Sequence, residues 1–155
     1  MGSSLNNDGK KSPYCFAAIV IGLIVLILLA VTLFKALPCS FASLAGNDSY
    51  KISSVERMCA DEAPVTHRVN TDSDSYENLM RALNSEQLTF VRDEVGMSLD
   101  DTLYTLFLSG AESDMANFSF SSDGLVHDNE AEKTYRLSDR TIYGLCEQLY
   151  ESSES

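Results

Sequence analysis

One unbroken apolar run dominates the hydropathy pattern near the amino end of the chain. Residues 16–34, FAAIVIGLIVLILLAVTLF, are nineteen consecutive positions without a charge, and Thr32 alone among them has a polar side chain. A helix half buried in a soluble core would show a polar stripe, and this run has none. A helix rising about 1.5 Å per residue needs roughly 20 such residues to cross the hydrocarbon of a bilayer. Residues 16–34 are therefore expected to form a single-pass transmembrane helix, which makes the membrane the first partner of the chain. The apolar part of a cleaved signal peptide is usually shorter, about 7–15 residues. An uncleaved anchor ranks first on this ground. Cleavage near the small residues SLAG at 43–46 ranks second, and lipid attachment at Cys39 ranks third because Pro38, not a small residue, precedes it.

Beyond the run the pattern shortens to strands and two helical stripes. Residues 65–69, VTHRV, alternate cleanly behind Pro64, which suits a strand start. Residues 50–58, YKISSVERM, read as a strand, although their spacing does not separate strand from helix cleanly. LTFV at 88–91 and LYTLFL at 103–108 are rich in β-branched and aromatic residues, and the acidic RDEVGMSLDD at 92–101 reads as a long turn between them. In MANFSFS at 115–121, Phe118 and Phe120 share one face. Asp123-Gly124 then supplies the positive φ angles of a tight hairpin turn, before return strands at 125–127 and 134–137.

Helical spacing i, i+3, i+4, i+7 recurs twice, at Tyr76, Leu79, Met80 and Leu83 and at Ile142, Leu145, Cys146 and Leu149. The first of these follows NTDSDS, which also looks like the start of a calcium loop. Counted from Asn70, however, the sixth position is Ser75 instead of glycine, and the twelfth is Arg81 instead of glutamate. A helix start fits better: Asp74 as N-cap with Glu77 three residues on, resembling a capping box with aspartate in the Ser/Thr place. Ser138 is the corresponding N-cap for the last helix, with Asp139 in its first turn.

These elements predict an α+β fold, in which a single N-terminal transmembrane helix is followed by a small antiparallel sheet of about four to six strands with two amphipathic helices packed on it. The expected segments are a disordered cytoplasmic tail at 1–15, the membrane helix at 16–34, a juxtamembrane linker at 35–49, an extracytoplasmic domain at 50–151 and a disordered tail at 152–155. The order strand, strand, helix, several strands and final helix behind an anchor resembles small extracytoplasmic domains of unknown function on bacterial membrane-anchored proteins and lipoproteins. That likeness spans roughly residues 50–150, lies in architecture alone, and implies no site residues.

Charge adds orientation and excludes one class of partner. Lys10, Lys11 and the amino terminus lie on one side of the run, against Lys35 and Lys51 on the other, a slight bias that places the C-terminal domain outside a cell membrane. After Lys35 there are eight Lys or Arg against twenty-two Asp or Glu, a net of −14. Phosphate binding needs a basic face, so nucleic acid is not an expected partner. Of the four cysteines, Cys15 and Cys39 flank the run, which leaves Cys59 and Cys146 as the candidate disulfide of an oxidising compartment.

Catalytic chemistry has little to stand on. His67 falls inside an alternating strand. His127 opens HDNE, but neighbouring residues of a strand point to opposite faces, so His127 and Asp128 do not converge on a metal with Glu130. No G-x-S-x-G elbow or glycine-rich phosphate loop is present. The triplets at 47–49 and 117–119 match the N-glycosylation pattern, which carries meaning only in a eukaryotic host. No catalytic, metal or cofactor residue is assigned. The sequence favours a membrane-anchored, extracytoplasmic, non-catalytic binding or protein-interaction module with an envelope protein as partner, and a small cell-envelope hydrolase is the alternative.

Overall fold

The computed structural model describes residues 13–46, 49–93, 102–110 and 116–153, with the backbone alone at 13–16, 34–36 and 92–93. The chain divides into two compact units, Met1–Ala36 and Leu37–Ser155. In the first, helix α1 covers Pro13–Ala36. Its described large apolar side chains are exposed all round, from Val20 at 41% to Leu26 at 69%. The hydroxyl of Thr32 turns back to donate to the carbonyls of Leu28 and Leu29, at 3.1 and 2.9 Å. Side chains are described for residues 17–33 of α1, and among the described residues no helix is long and apolar enough to cross a membrane.

The second unit is α+β. Among its described residues eight strands form one antiparallel sheet: β1 (Cys39–Ser40), β2 (Lys51–Met58), β3 (Val65–Arg68), β4 (Gln87–Asp93), β5 (Leu103–Ser109), β6 (Asn117–Phe120), β7 (Leu125–Asp128) and β8 (Lys133–Leu137). Their order across the sheet is β1-β4-β8-β7-β6-β5-β2-β3. The middle is thus a meander of hairpins, with β1 and β3 at the edges. Helices α2 (Phe41–Ala45), α3 (Asp74–Ser85) and α4 (Thr141–Ser153) complete the unit. One hydrophobic core joins the inward residues of the sheet, such as Leu106, Phe118, Phe120 and Val126, to Leu79 and Leu83 of α3 and to Ile142, Cys146 and Leu149 of α4. Each helical stripe read from the sequence supplies this core, because residues three and four apart lie on one side of a helix.

The ambiguous spacing in β2 has a physical cause. Its register against β5 shifts between Ile52 and Ser54. The extra residue at this bulge resets the alternation, so that Ile52 and Val55 both face inward at a spacing of three. Ser53 remains satisfied, its hydroxyl donating to Phe107 O at 3.0 Å and its carbonyl accepting from Val69 N at 3.2 Å.

Several expectations need correction. The stretch read as linker at 35–49 contributes β1 and α2 to the folded unit, and Phe41 is fully buried against Tyr50, Phe118 and Phe120, with ring centroids 5.6, 4.8 and 6.1 Å away. Asp74 is not the cap of α3. Ser73 is: its hydroxyl accepts from Tyr76 N at 3.2 Å, which leaves Asp74 as the first helical residue and Glu77 one place beyond a capping box. Asn70 sets the approach, its side-chain oxygen accepting from Asp72 N at 3.0 Å and its carbonyl from the Ser73 hydroxyl at 2.9 Å. Ser138 does not cap α4 either. Its backbone N–H goes to Glu86 Oε1, while Asp139 Oδ1 accepts from Thr141 N at 2.8 Å, a bond that holds the Asp139 carboxyl below its ordinary pKa. In the β6–β7 hairpin only Gly124 of the Asp-Gly pair takes a positive φ, +80°, within a loop closed from Ser121 to Leu125. Helix α4 runs on to Ser153, into the expected tail. The tail at 1–12, the turn at 94–101 and residues 47–48, 111–115 and 154–155 lie outside the described residues.

Candidate functional site

Helix α2, strands β6 and β7 and the β7–β8 turn flank an open cavity of about 480 Å³ lined by Leu44, Ala45, Gly46, Ala116, Phe118, Asp128, Glu130 and Ala131. Local sequence explains its walls. Ser40 caps α2 by accepting from Ser43 N at 3.2 Å, and Gly46 stops the helix in the left-handed region, φ +71°. The ring of Phe41 on Phe118 fastens this short helix to the sheet. Asp128 ends β7, and its Oδ1 accepts from Glu130 N at 3.1 Å and Ala131 N at 3.0 Å, shaping the turn into β8. Glu132 closes that turn at φ 55°, an uncommon conformation for a residue with a Cβ.

A second polar feature lies on the opposite face of the sheet. Thr105, Ser119, His127 and Thr134 stand directly opposite one another on β5, β6, β7 and β8. The hydroxyls of Thr105 and Ser119 are bonded to each other at 2.8 Å, Asn129 Nδ2 donates to Ser119 Oγ at 2.9 Å, and His127 Nδ1 bonds Thr134 Oγ1 at 3.1 Å. Ser119 and His127 are neighbours in register, yet each bonds elsewhere. Among the described residues no bond joins this serine to the histidine, and the row reads as a cross-strand polar ladder that satisfies buried hydroxyls.

The remaining residues singled out from sequence are scattered. His67 faces inward and lies against Tyr150 at 4.5 Å, beneath the same ring that Arg57 covers at 5.3 Å. Arg57 also pairs with Glu62 at 3.0 Å. Burial raises the Tyr104 phenol in this aromatic corner, and Glu147 adds to the effect. The Cys59–Cys146 bridge is absent, since both thiols are free. Cys59 follows β2 and sits 3.4 Å from Thr102 Oγ1, whereas Cys146 points into the core from α4, where burial drives its thiol pKa upward. His127 and Asp128 diverge to opposite faces, as strand alternation requires. Among the described residues no group of three His, Cys, Asp or Glu side chains is placed to hold a metal. No family model, curated protein or solved structure matches the chain.

Among the described residues the cavity brings sequence-distant segments together around accessible polar groups. Sequence reasoning weighed Asp128 and Glu130 only as partners of His127 and missed the α2 wall altogether. The signal was present in SFASLAG: a capping serine at 40, a glycine stop at 46 and a large aromatic between them.

Proposed function

We propose that this protein is a single-pass, membrane-anchored binding module whose C-terminal unit lies outside the cell and meets an envelope protein or a small ligand without chemistry of its own. The observation that carries this reading is α1, a helix of 24 residues whose described large apolar side chains, between Ile19 and Leu33, are exposed on every side. The described side chains at 17–33 are too few to span a bilayer by themselves; with the apolar residues of the sequence at 16–34 and a 24-residue backbone that extends roughly 36 Å at about 1.5 Å per residue, the helix reaches the length of a bilayer core. In water such a surface is costly, whereas in lipid it is matched, and the one polar side chain in the run, Thr32, already bonds to the helix backbone.

Retention of the anchor has separate support from the fold. Cleavage after Gly46 would remove Phe41 and Ala45, both core residues of the second unit. The acidic balance after Lys35 disfavours nucleic acid and anionic lipid surfaces as ligands. The binding role is supported by the cavity beside α2, and the reaction-free character by the commitment of Ser119 and His127 to other partners.

Protease added to intact spheroplasts carrying a C-terminally tagged chain tests the topology. Loss of the tag while the membrane stays closed is the expected result, with alkaline carbonate washing leaving the chain in the membrane pellet. A tag digested only after lysis would reverse the orientation, and release by carbonate would remove the anchor from the reading.

A further inference from the structure

The cavity beside α2 has an apolar floor and an acidic rim. Ala45, Ala116 and Phe118 on its floor are core residues, and Leu44 adds partly buried aliphatic surface. Asp128 and Glu130 stand at its rim. Asp128 is 8% exposed, and its Oδ1 is occupied by the N–H groups of Glu130 and Ala131. Among the described residues Oδ2 takes no hydrogen bond, and no buried side-chain oxygen is left without a partner, so Oδ2 keeps some accessible surface on a residue that lines the cavity. Among the described residues no lysine or arginine forms an ion pair with Asp128 or Glu130; Lys133, opposite Asp128 in the register, is exposed. With Oδ1 taken up by two backbone N–H groups, Oδ2 is the oxygen of this nearly buried carboxylate left to receive a donor or cation, and the apolar floor rewards a ligand with a hydrocarbon body.

We infer that this cavity binds a small amphipathic amine, its ammonium at Asp128 Oδ2 and Glu130 and its hydrocarbon body against Leu44 and Phe118. The inference rests on the reading of the C-terminal unit as a binding module, and it does not depend on the anchor. An acidic surface alone would attract any cation weakly and without saturation, and salt near 0.15 M screens that attraction over roughly 8 Å. A cavity with a fixed carboxylate discriminates by shape and by charge.

The test uses the full chain in neutral detergent micelles at about 0.15 M salt, with empty micelles subtracted for partitioning. Three probes that share a phenylethyl body, 2-phenylethylamine, 2-phenylethanol and 3-phenylpropanoate, are titrated by calorimetry and by amide chemical shifts. Saturable binding of the amine is expected, with shifts at Ala116, Phe118 and Ala131, about tenfold weaker binding of the alcohol, and none of the acid. Asp128→Asn keeps an Oδ1 acceptor for the two backbone N–H groups and should weaken the amine about tenfold or more. Ala131→Trp, at an exposed rim position, should block it. Equal binding of amine and alcohol, or the absence of a saturable site, would overturn the inference. So would unchanged binding in Asp128→Asn. Should that variant melt well below the parent, Glu130→Gln and Ala131→Trp decide instead, and unchanged binding in both counts against the site. If the amine fails while a protein partner is crosslinked to the domain in envelopes, the amine site falls and the binding-module reading stands.

Discussion

Replacing Phe41 with alanine tests whether the segment after α1 belongs to the fold or merely connects to it. Phe41 is fully buried and touches Tyr50, Phe118 and Phe120 at ring distances of 4.8 to 6.1 Å. Deleting a buried phenylalanine costs about 3–5 kcal/mol, the lost transfer of the ring plus the void left behind. Tilted aromatic neighbours place this site toward the upper end, since each such pair is worth about 0.5–1.5 kcal/mol beyond burial. A domain of this size has a total stability of about 5–15 kcal/mol, so the change would remove a third or more of it. At roughly 4 °C per kcal/mol the melting temperature should fall by about 12–20 °C. The assay is thermal and urea unfolding of residues 37–155 by circular dichroism, with Phe41→Leu as a milder control that keeps most of the apolar volume. A fragment beginning at residue 47 should lack the cooperative transition that the 37–155 fragment shows. A loss below about 1 kcal/mol for Phe41→Ala, or equal melting of the two fragments, would refute the packing of α2 and return the segment to a linker.

Three further outcomes follow from particular contacts. Ser73→Ala should destabilise the domain by about 0.5–2 kcal/mol, whereas Asp74→Ala should cost no more than the few tenths to about 1 kcal/mol of a first-turn acid; urea midpoints compare them directly, and the reverse order would move the cap back to Asp74. Glu86 is buried with Oε1 accepting from the N–H groups of Ser138 and Asp139, so Glu86→Ala should cost about 1–3 kcal/mol in the same assay, while Glu86→Gln, which keeps a carbonyl acceptor, should cost less. With both thiols free, maleimide should label Cys59 in the native domain and Cys146 only after unfolding; failure of both to react before reduction would restore the bridge. The folded Cys146 thiol holds its proton well above the ordinary value of 9.0, so stability is full below about pH 9 and declines as rising pH ionises the unfolded thiol. Cys146→Ala should flatten that alkaline decline in pH-dependent urea titrations.

Local pattern was enough wherever one element's own period specified its environment. The stripes of α3 and α4 and the alternation of β3 and β6 each follow from which side chains one strand or helix turns to a single face. The α+β class followed from their order. Tertiary structure alone decided the rest. Both Ser73 and Asp74 are competent caps, and the choice fell to Ser73 because the turn built on Asn70 presents that hydroxyl to Tyr76 N. The β2 bulge mimics a helical spacing until β5 is seen beside it. Cysteine pairing depends on where two distant side chains point, and one of them points into the core. The cavity is the clearest case: its carboxylates come from the end of β7 and its far wall from α2, a five-residue helix too short to be stable alone. That helix exists because Phe41 finds Phe118 across the fold, a contact 77 positions apart in the chain that no local period encodes.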